Sequence, residues 1–264
     1  HERSSAASDV YKRQFIKCYE SLLNRDHPDF NQRDGLMGFD SSRTEGGGEI
    51  TTYDSLDHSL AQSRKNSYLG GKCWASYLAL EYIFKLLGED AQSSAAHESA
   101  LLCANTLSKA FNPELGFIPA VLENNNKSAI IPVVEALVYP HQMGLMKYLD
   151  IEGEFSEYLT ILKKHVCNIL KPDICLYEDG GWKLSSTADN SWMSKICLNQ
   201  FVVHEILGIS YGGEEAADSA HVEWEVNGSK DQACSDQFAS GKPIGSLYYP
   251  RIVTNILWFG SDSM

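Results

Sequence analysis

The feature that most constrains the fold is a run of apolar residues at helical spacing between residues 69 and 87. Apolar side chains recur there at intervals of three and four, at Leu69, Cys73, Tyr77, Leu80, Phe84 and Leu87. This period is typical of an α-helix and not of a strand. Trp74, Leu78 and Ile83 widen the stripe beyond one face, so we predict that residues 57–87 are mostly helical and buried.

Further stretches with the same period are separated by long loops. We predict helices at 15–24, 95–111, 132–149, 155–170, 190–207 and 247–259. Pro140 should kink or break its helix, whereas Asp189 or Asn190 should cap the helix at 190–207 and Gly208 should end it. No strand-rich region is visible. The pattern predicts an all-α protein and suits part of an (α/α)6 barrel, in which long loops at one rim build the site.

Charge and cysteine content exclude several classes of partner. The chain of 264 residues carries a net charge of −13, so phosphate backbones repel it and we expect no nucleic acid partner. No run approaches the roughly 18 apolar residues of a membrane span. The seven cysteines form no C-x-x-C pair and are interpreted as buried reduced thiols, for which the cytoplasm is the simplest compartment. No carboxylate–histidine set has metal-ligand spacing, and no cofactor is expected.

A glycine-rich loop before the most apolar helix holds a concentration of carboxylates. Glu45, Glu49, Asp54 and Asp57 lie close together there, and Tyr53 precedes Asp54. Glycosidases need a carboxylic acid that faces a second carboxylate across the scissile bond, and a loop at a barrel rim can supply one. The alternative is that Asp54 caps the helix while Asp57 lies in its first turn, against the positive end of the dipole. The residues alone favour this capping interpretation.

Four segments resemble glycoside hydrolase family 52, whose members are mostly bacterial β-xylosidases. They are DGLMGFD (34–40), ITTYDSLDHSLAQSRKNSYLGGKCWASYLALE (50–81), TADNSWMSKICLNQFVV (187–203) and SLYYPRIVTNILW (246–258). The resemblance covers the chain from residue 15 onward. Residues 1–14 contain DVYKRQ, which resembles a translated library adapter, and we exclude them as a foreign scar; a natural polar tail is the alternative.

The resemblance implies a retaining exo-glycosidase with two catalytic carboxylates and a small oligosaccharide substrate. Residues 15–264 would be the C-terminal portion of its (α/α)6 catalytic barrel. The related family 116 β-glucosidases carry a similar Thr-Tyr-Asp loop whose aspartate is the acid/base, which corresponds to Asp54. The family's nucleophilic glutamate has no matching position here and would lie upstream, so the isolated chain is expected to be inactive. A homo-oligomer of the full-length enzyme is compatible with this interpretation.

Several other side chains are candidates for binding the substrate, each with a structural alternative. Tyr53 and Asp57 flank the predicted acid. Arg64 could instead be a solvated arginine, Trp192 a core anchor, and Arg251 one half of a structural ion pair. A further group is interpreted as mainly structural or surface-exposed: Asp189, His141, Glu223 and Glu225.

Two alternative functions remain open from the sequence. One is a related exo-β-glycosidase for another glycone such as glucose, since the position that would recognise the C6 hydroxymethyl group is not visible. The other is a helical toroid that binds a partner without catalysis. In that case Asp54 would be a buried cap and not a residue facing a pocket.

Overall fold

The protein is described here by a computed structural model that covers residues 2–38, 56–60, 63–227 and 235–244, with the backbone alone for residues 2–8. Helices dominate these ranges, which confirms the predicted all-α character. The α-helices are α1 Glu2–Asp26, α2 Ser67–Leu86, α3 Asp90–Lys109, α4 Val138–Gln142, α5 Ser156–Ile169, α6 Met193–Phe201 and α7 Glu214–Val226. A small antiparallel sheet consists of β1 Asn190–Trp192, β2 Gln237–Ala239 and β3 Lys242–Pro243, in that order.

Helix α2 is the centre of the core, as its apolar stripe predicted. It packs most extensively against α3, to which a short turn connects it. The Trp74 ring, which is fully buried, makes edge-on contacts with Phe155 and with Tyr158 of α5, at centroid distances of 5.5 and 5.3 Å. Such aromatic contacts add to the apolar area that each ring buries. They fix α5 against α2.

Two of the predicted helices begin later than expected. The helix predicted from residue 57 begins at Ser67, because the Asn66 side chain accepts a hydrogen bond from the Leu69 N–H at 2.8 Å and caps it. The helix predicted from residue 190 begins at Met193, since residues 190–192 pair with β2 instead. The predicted cap at Asp189 or Asn190 is therefore wrong. Gly208, with a φ of 61°, follows the last turn of this helical segment as predicted.

The segment 132–149 is divided into short pieces and is not one helix. A 3-10 helix spans Ile131–Leu137, α4 follows, and a second 3-10 turn spans Met146–Tyr148. Pro140 lies inside α4, which ends two residues later. Helix α7 and the small sheet were not predicted, and the segment 247–259 lies outside the described residues.

The N-terminal helix extends further than predicted and contacts the rest of the fold. Helix α1 includes the predicted helix at 15–24 and also covers most of residues 1–14, which the sequence suggested to be foreign. Lys12 pairs with Glu89, which precedes α3. The origin of residues 1–14 stays a prediction.

Cysteine burial agrees with the sequence only in part. The six described cysteines are all free; Cys73, Cys103, Cys175 and Cys197 are buried, whereas Cys18 and Cys167 are exposed. Burial raises the pKa of the Cys73 and Cys197 thiols to about 12, which makes both unreactive at neutral pH. Cys234 lies outside the described residues.

Two glycines with positive φ allow a matched test of packing. A Cβ at Gly35 would lie 2.5 Å from the Cys103 Cα, whereas one at Gly88 would meet nothing within 4 Å. Their φ angles are similar, +85° and +73°. We expect Gly88→Ala to cost about 1–2 kcal/mol, from the left-handed backbone alone. Gly35→Ala should cost about 2 kcal/mol more because helix α3 must move. Urea unfolding of both variants checks this, and equal losses would contradict the close approach.

Candidate active site

Asp57 is the buried centre of a hydrogen-bond cluster, here called the Asp57 node. Its Oδ1 accepts from the Ser59 N–H at 2.9 Å and the Ser59 hydroxyl at 2.6 Å. Its Oδ2 accepts from the Ser185 hydroxyl at 2.6 Å and the Thr187 hydroxyl at 2.7 Å. The carboxylate thus joins the turn His58–Leu60 to a segment about 130 positions later in the chain.

A third segment joins the same node. The Ser128 hydroxyl lies 3.2 Å from that of Thr187, and the backbone of Ile130 pairs with that of Ser185. The Ile131 N–H also donates to the Leu184 carbonyl at 2.9 Å. Three chain segments, at 56–60, 128–131 and 184–187, therefore meet shortly before the helical segments beginning at Ser67, Ile131 and Met193. This is the arrangement expected where loops gather at one end of a helical scaffold.

The hydrogen bonds of the node favour an ionised Asp57. Burial alone would raise the pKa of this carboxyl, but the donors from Ser185, Ser59 and Thr187 outweigh burial and hold the pKa below its ordinary value. Four protein donors already occupy its two oxygens. The geometry therefore makes Asp57 an anchor that joins the turn His58–Leu60 to residues 185–187. Its predicted contact with substrate stays a prediction.

A second polar cluster, the Glu135 cluster, joins residues near the starts of α2 and α6. Glu135 is buried, and its two oxygens lie 2.6 and 2.7 Å from the Lys195 Nζ of α6. Lys72 of α2 approaches the same carboxylate at 3.0 Å. The Tyr68 hydroxyl accepts from the Lys195 ammonium at 2.8 Å, and the Lys72 Nζ lies 4.6 Å from the Tyr68 ring centroid.

Charge pairing keeps this cluster ionised despite its burial. Burial alone would raise the pKa of Glu135, but the charges of Lys195 and Lys72 lower it below its ordinary value. Burial alone would lower the pKa of Lys72, but the negative charge of Glu135 outweighs burial and raises this pKa above its ordinary value. Glu135 is not among the site residues predicted from the sequence. A single acidic residue inside the apolar run IPVVEALVYP was the signal that could have indicated a buried, paired carboxylate.

The structure locates only part of the predicted site. Tyr53, Asp54 and Arg251 lie outside the described residues. Arg64 is exposed, in a turn just before α2. Trp192 is 6% exposed, which agrees with its alternative role as a core anchor. Helix α2 begins at Ser67 and is capped by Asn66, whereas the capping alternative for Asp54 concerns a residue outside the described ranges and stays untested.

The remaining candidates have structural surroundings. Asp189 is exposed and lies 3.2 Å from the Lys183 Nζ. The His141 ring packs edge-on against Phe201 at 5.4 Å. Glu223 is exposed as predicted, whereas Glu225 is half-buried and its carboxyl oxygens are buried, so its surface assignment holds only in part. In the described part of the chain, no group of three or more His, Cys, Asp or Glu side chains is arranged to hold a metal ion. None of the described helices is long and apolar enough to cross a bilayer.

The chain is similar in sequence to two known β-xylosidases. A β-xylosidase of Geobacillus stearothermophilus is 48% identical over 244 residues, which are 92% of this chain and 34% of that protein. Another β-xylosidase of the same organism is 36% identical over 101 residues, 38% of this chain and 16% of that protein. The chain thus spans about a third of the length of the first of these relatives. No family model matches the chain. The predicted resemblance to a β-xylosidase is confirmed.

Proposed function

We propose that this chain is the segment of an exo-acting β-xylosidase that carries the general acid/base, Asp54. The observation that carries the proposal is the 48% identity to a β-xylosidase over nearly the whole chain. Identity of this extent across a mostly helical chain supports a common fold, and we propose part of an (α/α)6 barrel of glycoside hydrolase family 52. The substrate would be a small oligosaccharide, and the enzyme would act in the cytoplasm.

The Asp57 node supports the role of Asp54. Asp54 lies three residues before Asp57, so peptide geometry keeps their Cα atoms within about 11 Å of each other. The buried anchor thereby restricts where the predicted acid can lie. A general acid must be held within hydrogen-bond reach of the glycosidic oxygen, which requires a loop with a fixed end.

The proposed mechanism retains the anomeric configuration. A glutamate outside this chain attacks the anomeric carbon while Asp54 donates its proton to the leaving oxygen. Asp54, now ionised, then takes a proton from the water that hydrolyses the glycosyl-enzyme and is thereby reset. Since the proposed nucleophile lies elsewhere, we expect the isolated chain to show little or no turnover of an aryl β-xyloside.

A chimera tests the proposal directly. The 244 residues of the Geobacillus β-xylosidase that align with this chain would be exchanged for their counterparts here, and hydrolysis of xylobiose and of a dinitrophenyl β-xyloside would be measured. We expect Asp54→Asn to lower kcat/KM for xylobiose by about 10²-fold or more. The loss on the dinitrophenyl substrate should be much smaller in the glycosylation step, because that leaving group needs no proton.

Matched controls separate the outcomes. Glu223→Gln, an exposed carboxylate change, should leave both rates unaltered. Equal losses on the two substrates would contradict the acid role of Asp54. Faster hydrolysis of aryl β-glucosides than of β-xylosides would favour the alternative glycone, and robust turnover by the isolated chain would show that it does not depend on an external nucleophile.

A further inference from the structure

The hydroxyl groups of Ser185 and Thr187 are the donors that reach the Asp57 node from the segment 184–187. Both donate to the Asp57 Oδ2, at 2.6 and 2.7 Å. The two hydroxyl oxygens lie 3.4 Å apart, and the Thr187 N–H donates to the Ser185 hydroxyl at 3.1 Å. Hydrogen bonds to an ionised carboxylate are shorter and stronger than neutral ones. This hydroxyl pair therefore fixes both the place and the direction of the Asp57 side chain.

The segment that carries the hydroxyl pair is held by bonds of its own. The Ser186 N–H donates to the Ala129 carbonyl, and the Ala129 N–H donates to the Ser186 hydroxyl, both at 2.9 Å. The Ala120 N–H donates to the Ser128 carbonyl at 2.8 Å, and the Ser67 N–H donates to the Ala120 carbonyl at 2.9 Å. These bonds connect the hydroxyl pair to the first residue of α2 through groups that do not include Asp57. The pair is thus a support on which Asp57 rests.

Apolar packing holds the segment 56–60 in the core but leaves its direction to the hydrogen bonds. Leu56 and Leu60 are 2% and 0% exposed, on either side of Asp57. Apolar burial is non-directional, whereas a hydrogen bond requires a narrow range of distance and angle. Removal of the hydroxyl pair should therefore leave the segment buried and loosen its position.

We propose that Ser185 and Thr187 are positioning residues for the acid step, which act through Asp57 on the predicted general acid. The inference rests on the proposed function, because that proposal gives Asp54, three residues before Asp57, its catalytic role. A misplacement of about 1 Å can lower the rate of a catalysed step by about 10²-fold. Proton donation is sensitive to such a shift, since the acid must lie within hydrogen-bond reach of the leaving oxygen.

Substitutions in the chimera test this role. Thr187 is exposed, so Thr187→Val removes one donor with little change in packing, and Ser185→Ala removes the other. We expect each to lower kcat/KM for xylobiose by about tenfold and for the dinitrophenyl β-xyloside by about twofold or less, because the aryl leaving group needs no proton. Thr187→Ser keeps the hydroxyl and should restore most of the rate. Thr160→Val, at an exposed position of α5, and Ser108→Ala, at a buried position of α3, should leave both rates unaltered.

A double variant shows whether the effect passes through the acid. In an Asp54→Asn background no acid remains to be positioned, so Thr187→Val should cause no further loss on xylobiose. Unaltered rates in both single variants, a full further loss in the double variant, or equal losses on the two substrates at an unchanged unfolding midpoint would overturn the inference. Failure of the proposed function is a separate outcome, because Asp54→Asn alone would then lower the rates on both substrates equally.

Discussion

Replacing Glu135 with alanine should lower the free energy of unfolding by about 3–5 kcal/mol. The carboxylate lies between the Lys195 and Lys72 ammonium groups, at 2.6 and 3.0 Å, and its side chain is 2% exposed. Its removal leaves two partly buried lysines facing each other without the charge that holds them. The loss is measured by urea unfolding, with the midpoint and the slope fitted separately.

An exposed ion pair between the end of α2 and the start of α3 provides the control. The Lys85 Nζ lies 2.6 Å from the Asp90 Oδ1, but both side chains are at least 70% exposed. Asp90→Ala should therefore leave the unfolding midpoint close to that of the wild type, since exposed ion pairs contribute little to stability. A double variant, Glu135→Leu with Lys195→Met, should recover part of the loss, because apolar residues of similar volume can replace a buried pair. Equal midpoints for Glu135→Ala and Asp90→Ala would contradict the Glu135 cluster.

Acidification should destabilise the fold through two buried histidines. His165 is fully buried; its Nδ1 accepts from the Ile118 N–H at 3.1 Å, and its Nε2 donates to the Ile130 carbonyl at 3.1 Å. His221 accepts from the Trp182 N–H through Nε2. Burial lowers the pKa of each ring to about 4. Both rings are therefore neutral in the folded protein, in tautomers that their partners select.

The direction of the effect follows from proton linkage. Unfolded histidines titrate near pH 6.5, so between about pH 6.5 and pH 4 the unfolded chain binds protons that the folded protein excludes. The contribution of the two neutral histidines to the free energy of unfolding is complete above this pH range. It falls as the pH is lowered through the range, by about 3 kcal/mol per histidine. Unfolding curves at several pH values check this. His165→Gln should flatten the acid slope relative to the wild type, with His58→Gln, at an exposed position, as the substitution control. An unchanged slope would contradict a neutral buried His165.

A third histidine acts in the opposite direction. The His97 Nδ1 lies 2.9 Å from Glu81, and its Nε2 lies 3.0 Å from Glu154. Both nitrogens must donate, which only the imidazolium can do. Burial acts to lower the pKa of His97, but the hydrogen bonds to Glu81 and Glu154 outweigh it and raise the pKa. The ion pairs of His97 stabilise the fold fully below the ordinary histidine pKa, and this stabilisation is lost as the pH rises through the raised pKa of His97. His97 therefore partly offsets the loss of stability that His165 and His221 cause at acid pH.

The long helices could be predicted from the spacing of apolar residues and from helix-ending glycines, which are local features of the sequence. The apolar spacing from residue 69 to 87 placed α2 in the core, and Gly208 marked the end of a helical segment as expected. The starts of helices were predicted less well. Nothing local in the segment 190–192 opposes a helix; these residues form a strand because β2, more than 40 residues later, offers backbone partners. Asp57 similarly looked like part of a long helix, and its hydroxyl donors lie far away at Ser185 and Thr187.

The sequence by itself determined the helical class, the burial of α2 and the resemblance to β-xylosidases, because helical periodicity and motif order are properties of neighbouring residues. The tertiary structure alone decided which carboxylates are buried and what surrounds them. Glu135 lies between lysines of two helices, Asp57 joins three distant segments, and the buried carboxyl oxygens of Glu225 have no hydrogen-bond partner among the described residues. The charge state of a carboxyl depends on desolvation and on groups within a few ångströms, and only the fold brings those groups together.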